Sequence, residues 1–162
     1  MSETLEERMN RLERRLAELE DREAIRSVLS RYSKVVDARD AAGLAPLFAR
    51  EARVLVTPWG VDVRGYDDVM EFFRGYFQSD WKEPRHNRAN EVIERDGDGY
   101  RVFSYFHETL WRGDQSVVGW GTWDDRFVLE DGCWKFGERI ITILALTPID
   151  KGWAGPDRIM GL

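Results

Sequence analysis

Apolar positions open the chain at a spacing that suits a helix. Leu5, Met9, Leu12, Leu16 and Leu19 recur at steps of four, three, four and three, the a/d repeat of a coiled-coil seam. Glu7 with Arg11, and Glu18 with Arg22, stand four apart in the order that supports an exposed helix. About two heptads are short for an independent coiled coil. This helical arm over residues 1–20 therefore lies on the domain or crosses to a neighbouring subunit. Ile25, Val28, Leu29, Tyr32 and Val35 or Val36 carry the helix on with a core-facing period, up to Asp37. Ala41 to Phe48 reads as a short second helix, weakened by Gly43 and Pro46. Arg53–Thr57 and Val61–Arg64 read as short strands around a Pro58-Trp59-Gly60 turn. Val69, Phe72, Phe73, Tyr76 and Phe77 mark a third helix over Asp67–Phe77, with Asp67 or Asp68 serving its N-terminus.

Beyond Pro84 the period changes to long strand-like runs. Asp96-Gly97-Asp98-Gly99, Gly113-Asp114 and Asp131-Gly132 separate His86–Arg95, Tyr100–Arg112, Val117–Glu130 and Cys133–Leu146. Asp-Gly turns between such runs signal hairpins, and four runs in series predict an antiparallel meander. Helices first and a long sheet afterwards give an α+β domain over residues 21–148. A strongly bent antiparallel sheet closed by the N-terminal helices would make a cone-shaped barrel with a ready pocket. Residues 149–162 have no period and read as a surface tail.

Composition narrows the function classes. The 162 residues suit one domain. A net charge of -6 argues against a nucleic-acid or anionic-membrane surface, because both need clustered cations. The single Cys133 cannot form an internal disulfide, which favours a reducing cytoplasm. One Cys and two His supply a metal site poorly. No signal-peptide core and no membrane-length apolar run are present. Aromatic residues reach 12%, enough to line a pocket for a flat or ring-shaped ligand, or equally to fill a bulky core or an oligomer interface.

Candidate chemistry is sparse. His86 opens a strand after a Pro-containing loop and His107 lies mid-strand with Phe103, Tyr105 and Trp111 on its face. Asp37 ends an apolar stripe, where a buried carboxylate needs a partner. Facing His86, it would fix the ring tautomer and turn the imidazole into a general base. Strict helical geometry sets Tyr32 and Asp37 about 140° apart, so both reach one pocket only if Asp37 sits past the last regular turn. Asp124-Asp125 alternate on a strand and read mainly as surface residues, with Arg126 a partner for Asp124. Trp59, Phe72, Tyr105, Trp120 and Arg126 are candidate substrate-binding walls. Phosphate-binding glycine runs and a nucleophile elbow are absent.

Tyr32-x4-Asp37, His86-x3-Asn90 and the run Asp131-Gly132-Cys133-Trp134-Lys135-Phe136 resemble the SnoaL-like branch of the nuclear transport factor two-like superfamily. Within it the likeness runs toward scytalone dehydratase, bile-acid 7α-dehydratase and hexachlorocyclohexane dehydrochlorinase. The resemblance implies a cone-shaped α+β barrel, cofactor-free lyase chemistry on a hydrophobic polyketide- or steroid-like ring substrate, and a homo-oligomer, a trimer before a dimer. It assigns Asp37 and His86 to an Asp–His dyad, Tyr32 to polarising a carbonyl or serving the leaving group, and His107 to the place of a second histidine, where it would assist departure of the leaving group. Val56 and Ile143 stand where the bile-acid enzyme has Tyr and Arg, which argues against a bile-acid thioester. A dehydratase is the leading reading. A polyketide-type cyclase or isomerase using the same dyad stays open, as does a non-catalytic binding module or a subunit like a ring-hydroxylating dioxygenase β chain.

Overall fold

The computed structural model describes residues 3–160. Helix α1 runs over Leu5–Asp37 without a break. It opens on a capping box, in which Thr4 accepts from the Glu7 N–H while the Glu7 carboxylate accepts from the Thr4 N–H. Residues 3–20 are exposed throughout, and full burial begins at Ile25. The helix stops where Arg39 enters the left-handed region at φ 54°. There the Arg39 and Asp40 N–H groups close back onto the Val36 and Val35 carbonyls.

Asp40 then caps α2 (Ala41–Leu44) by accepting from the Gly43 N–H. This helix is shorter than the sequence suggests. Pro46 has no N–H with which to extend the ladder, so Ala45–Leu47 forms one 3-10 turn and Phe48 already belongs to a strand. The remaining elements are β1 (Phe48–Thr57), β2 (Val61–Arg64), α3 (Tyr66–Gln78), β3 (Lys82–Asp96), β4 (Gly99–Arg112), β5 (Gln115–Glu130) and β6 (Cys133–Pro148).

The six strands form one curled sheet in the order β2-β1-β6-β5-β4-β3. The meander β3 to β6 is antiparallel. The pair β1–β6 is parallel, a departure from the all-antiparallel expectation. The curl does not close, because β2 and β3 remain as edges. Helices α1 and α3 pack on the inner face, where the Tyr32 ring meets Phe48, Phe73, Trp123 and Phe136 edge to face. The tail returns to the sheet at a Leu146–Ile159 bridge, and the Trp59 indole N–H donates to the Met160 carbonyl. Among the described residues no helix is long and apolar enough to cross a membrane.

Strand alternation decides which side chains face inward. On β4 the buried set includes Tyr100, Val102, Ser104, Phe106, Glu108 and Leu110; on β5 it includes Val117, Trp123, Asp125 and Phe127. Phe103, Tyr105, His107 and Trp111 share one face as the sequence indicates, but that face is the outer one. Trp120, Asp124 and Arg126 lie on the outer face of β5 for the same reason.

Candidate active site

The hollow between the helices and the sheet is a cavity of about 70 Å³. Apolar and aromatic side chains make most of its wall: Val36 and Tyr32 from α1, Phe72 and Tyr76 from α3, Phe106 and Trp123 from the sheet. Trp59 lines it from the β1–β2 turn. Val56 and Ile143 line it too. Trp81 forms part of the wall because Arg39 ties down the segment leading to it, donating to the carbonyls of Phe77, Ser79 and Trp81. The left-handed backbone that ends α1 thus also aims the guanidinium that shapes the cavity.

Two side chains that can carry charge near neutral pH break this apolar wall, His86 and Glu108. They are direct cross-strand neighbours on β3 and β4, and His86 Nε2 lies 3.1 Å from Glu108 Oε2. The opposite ring nitrogen, Nδ1, is 2.7 Å from Asp37 Oδ1. Asp37 does not line the cavity; it stands behind the ring. Its carboxylate also accepts from the His86 backbone N–H, at 3.2 Å to each oxygen. That N–H is available because β3 is an edge strand. The 140° separation of Tyr32 and Asp37 is therefore no obstacle. Tyr32 looks into the cavity, whereas Asp37, the last residue of α1, reaches the His86 ring from outside it.

Burial works against charge on His86, but the hydrogen bonds to Asp37 and Glu108, with the charges of both, outweigh it and raise the imidazole to about 9. The ring is thus an imidazolium at neutral pH, held between two carboxylates. Space for Glu108 comes from the facing strand: a Cβ on Gly119 would stand 2.8 Å from Leu146 and 2.9 Å from Glu108 Oε1. Gly121 does the same for the Phe106 ring, 2.8 Å from where its Cβ would be. Burial pushes the Tyr32 hydroxyl up to about 12, against the charge of Arg139, so it stays a neutral hydrogen-bond donor.

A second ionic group lies deeper. Arg139 and Asp125 are both fully buried, with Nε and Oδ1 3.6 Å apart. Neither has a hydrogen-bond partner for its nitrogens or oxygens. The guanidinium instead stacks on Tyr32 at 3.7 Å and Trp123 at 4.2 Å. Burial pushes Asp125 up to about 7 despite the neighbouring Arg139.

The structure brings Tyr32, His86, Trp59 and Phe72 to the cavity and Asp37 to the back of His86. It does not bring His107, Tyr105, Trp120 or Arg126 there. His107 stacks on Trp120 outside the sheet, at 6.3 Å, and Trp120 meets Trp153 of the tail. Arg126 pairs with Asp96 and Asp98, and Asp124 with Arg101. The surface reading of the Asp124-Asp125 pair is half corrected, since Asp125 is inside. Asn90 is a left-handed residue, φ 55°, at an irregularity in β3 and contributes nothing to the site. Sequence reasoning missed Glu108, although a carboxylate alternating with Phe106 and Leu110 is itself a signal of a buried acid. Arg139 was detectable the same way. Among the described residues no cluster of three or more His, Cys, Asp or Glu side chains is placed to hold a metal ion.

No curated protein matches the sequence. Among solved structures, a scytalone dehydratase-like protein from Novosphingobium aromaticivorans superposes with a TM-score of 0.73 at 22% identity, over 81% of this chain and 89% of that one. A type 2 hexachlorocyclohexane dehydrochlorinase, LinA, gives 0.76 at 22% identity, over 88% and 98%. A Mycobacterium tuberculosis protein of unknown function gives 0.68 at 22%, over 84% and 77%. At such identities the likeness is one of fold. The sequence pattern of the SnoaL-like domain, however, matches residues 17–140, the greater part of the chain. The chain belongs to the SnoaL-like domain family.

Proposed function

We propose that the protein is a lyase that removes water, or a comparable leaving group, from a hydrophobic ring-containing carbonyl compound without a cofactor. The observation that carries this reading is the unbroken hydrogen-bond chain Asp37–His86–Glu108, whose inner end opens on an aromatic cavity. The carboxylate behind the ring holds Nδ1–H and stabilises charge on it, while Nε2 and Glu108 share one proton at the cavity wall.

That shared proton gives a balanced cycle. At rest it sits on His86, and Glu108 is a carboxylate. Transfer along the 3.1 Å hydrogen bond frees Nε2 and makes Glu108 a carboxylic acid. Nε2 then takes the proton α to the substrate carbonyl, with Tyr32 donating a hydrogen bond to the developing enolate oxygen. The enolate electron pair forms the C=C bond and expels the β-hydroxyl, which leaves as water with the proton of Glu108. His86 ends as imidazolium and Glu108 as carboxylate, so the resting state returns without a proton from solvent. The role that the resemblance gives to His107 thus passes to Glu108. Each acid–base group of this kind is worth about 10²–10⁴-fold, and a dry aromatic wall strengthens the electrostatic part.

The test separates the two half-reactions. Cyclic β-hydroxy ketones are incubated with the protein in D2O, and products are read by mass for loss of water and for deuterium at the α-carbon. Glu108→Gln removes one of the two carboxylates that hold the proton on His86, so the imidazole falls and is freed without the transfer. The variant should keep α-exchange and lose elimination, whereas His86→Ala should lose both. Elimination at full rate in His86→Ala removes the proposal.

A further inference from the structure

The first half of α1 carries an apolar stripe that its own domain leaves uncovered. Leu5, Met9, Leu12, Leu16 and Leu19 are between 49% (Leu12) and 75% (Leu5) exposed. The stripe is not an extension of the core-facing one. At 100° per residue its mean direction differs by roughly 170° from that of Ile25, Leu29, Tyr32, Val35 and Val36 further along the same helix. Since the second set faces the sheet, the first faces away from it. Among the described residues no part of the same domain covers it.

The flanking charges say what covers it. With Met9 and Leu16 at a, and Leu5, Leu12 and Leu19 at d, the three e positions are Glu6, Glu13 and Glu20. The three g positions are Arg8, Arg15 and Arg22. Every e is acidic and every g is basic. In a parallel, in-register pair each g faces the e of the partner's next heptad, so Arg8 meets Glu13 and Arg15 meets Glu20 in both directions. In an antiparallel pair e faces e and g faces g, which sets Glu against Glu and Arg against Arg. Among the described residues Glu6, Arg8, Glu13, Arg15 and Glu20 make no ion pair within the chain. The seam also ends abruptly: the next a and d positions are Glu23 and Arg26, whose charges pair with each other and with Glu91.

We propose that the arm is an interface for a second copy of this chain, joined as a parallel, in-register coiled coil over residues 5–22. Two and a half heptads are marginal as a free peptide, so the interface works on the folded chain, whose domain already fixes the helix from Ile25 onward. The charge pattern selects orientation more than it supplies affinity, because exposed ion pairs contribute little each.

The full chain is the test object. Leu12→Asp with Leu16→Asp should weaken self-association by more than about tenfold in sedimentation, a change of roughly 1.4 kcal/mol. Circular dichroism and thermal unfolding should report an intact domain, since both positions are exposed. Orientation is read in a Cys133→Ser background, because Cys133 is exposed and would cross-link on its own account. A Leu5→Cys chain should oxidise to a disulfide-linked dimer, and so should a Leu19→Cys chain. A cross-link that forms only when the Leu5→Cys and Leu19→Cys chains are mixed means an antiparallel pair and overturns the proposal. Unchanged self-association in the double Asp variant overturns it as well, as does a wild-type chain that stays monomeric.

Discussion

Two ionic groups share the inner face of the sheet, both against Trp123, and they are built on opposite terms. The Asp37–His86–Glu108 group has a carboxylate at each ring nitrogen and stands where the cavity opens. The Arg139–Asp125 group has no hydrogen bonds, lies outside the cavity lining and is held by aromatic faces. Burial alone therefore does not mark a reactive group. In the first, each partner's charged form is compensated and His86 and Glu108 face open space, which is what the proposed chemistry needs. The second is fixed because its guanidinium is clamped between the rings of Tyr32 and Trp123, so it serves the site by holding those rings. Breaking each in turn should give different signatures.

The largest effect is expected at the deeper pair. Arg139→Met leaves Asp125 buried without its ion-pair partner and strips the ring faces of theirs. Loss of one member of such a pair costs about 3–5 kcal/mol, read by chemical denaturation. Adding Asp125→Leu removes the orphaned carboxylate and should recover most of that loss, since a buried pair replaced by apolar residues is often neutral. A double variant as unstable as the single would mean that the cation–ring stacking, not the charge balance, is what the pair supplies.

At the cavity wall the signature is catalytic. Glu108→Gln keeps the shape and a hydrogen-bonding group but cannot carry the shared proton. On a turned-over substrate its kcat should fall about 10²–10⁴-fold, with a much smaller loss of stability than Arg139→Met. His107→Ala, on the outer face, should leave kcat unchanged.

Much of this contrast was legible in the sequence, and the part that was not has a physical cause. Helix α1 and the β3–β6 meander follow from periodicity and Asp-Gly turns, because local backbone preference and burial agree there. Asp37 and His86 stand out as polar residues at element ends. What periodicity does not give is which face of a strand is inside. His107 with Tyr105 and Trp111 has a face as aromatic as that of Phe106 with Glu108 and Leu110. Only the helices packed on one side break the tie. Choosing the aromatic face promoted His107, Trp120 and Arg126 and concealed Glu108, Asp125 and Arg139. The parallel β1–β6 pair was hidden for a related reason: it joins strands far apart in the chain, beyond the reach of any turn signal.

pH separates the two groups by window. Asp125 rises from its ordinary 3.8 to about 7 and His86 from 6.5 to about 9. A group whose folded value is raised binds more protons when folded, so stability is fullest below the unfolded value and is lost as pH climbs through the folded one. Between pH 4 and 7 the decline in stability should belong mainly to Asp125 and vanish in Asp125→Asn. Between pH 7 and 9 it should belong to His86, be on the order of 3 kcal/mol, and survive Asp125→Asn. It should shrink in Asp37→Asn, which removes one of the two carboxylates holding the proton. Urea midpoints across both windows make the measurement. A decline above pH 7 that is unaffected by Asp37→Asn would mean that the dyad does not hold the proton.

The smallest effect completes the comparison on a single strand. Asp125 and Arg126 are consecutive on β5 and point to opposite faces. Arg126 has two carboxylates within 3.4 Å, Asp96 and Asp98, whereas Arg139 has one at 3.6 Å. By count of contacts the outer pair is the stronger. By physics it is the weaker, because water solvates the partners when the arginine is removed and screens them while it is present. Arg126→Ala should therefore shift stability by no more than about 0.5 kcal/mol, several-fold less than Arg139→Met, and leave kcat alone. The same denaturation measurement decides it. A loss comparable with that of Arg139→Met would mean that the number of ionic contacts, and not their removal from water, sets the strength of charge pairing on this sheet.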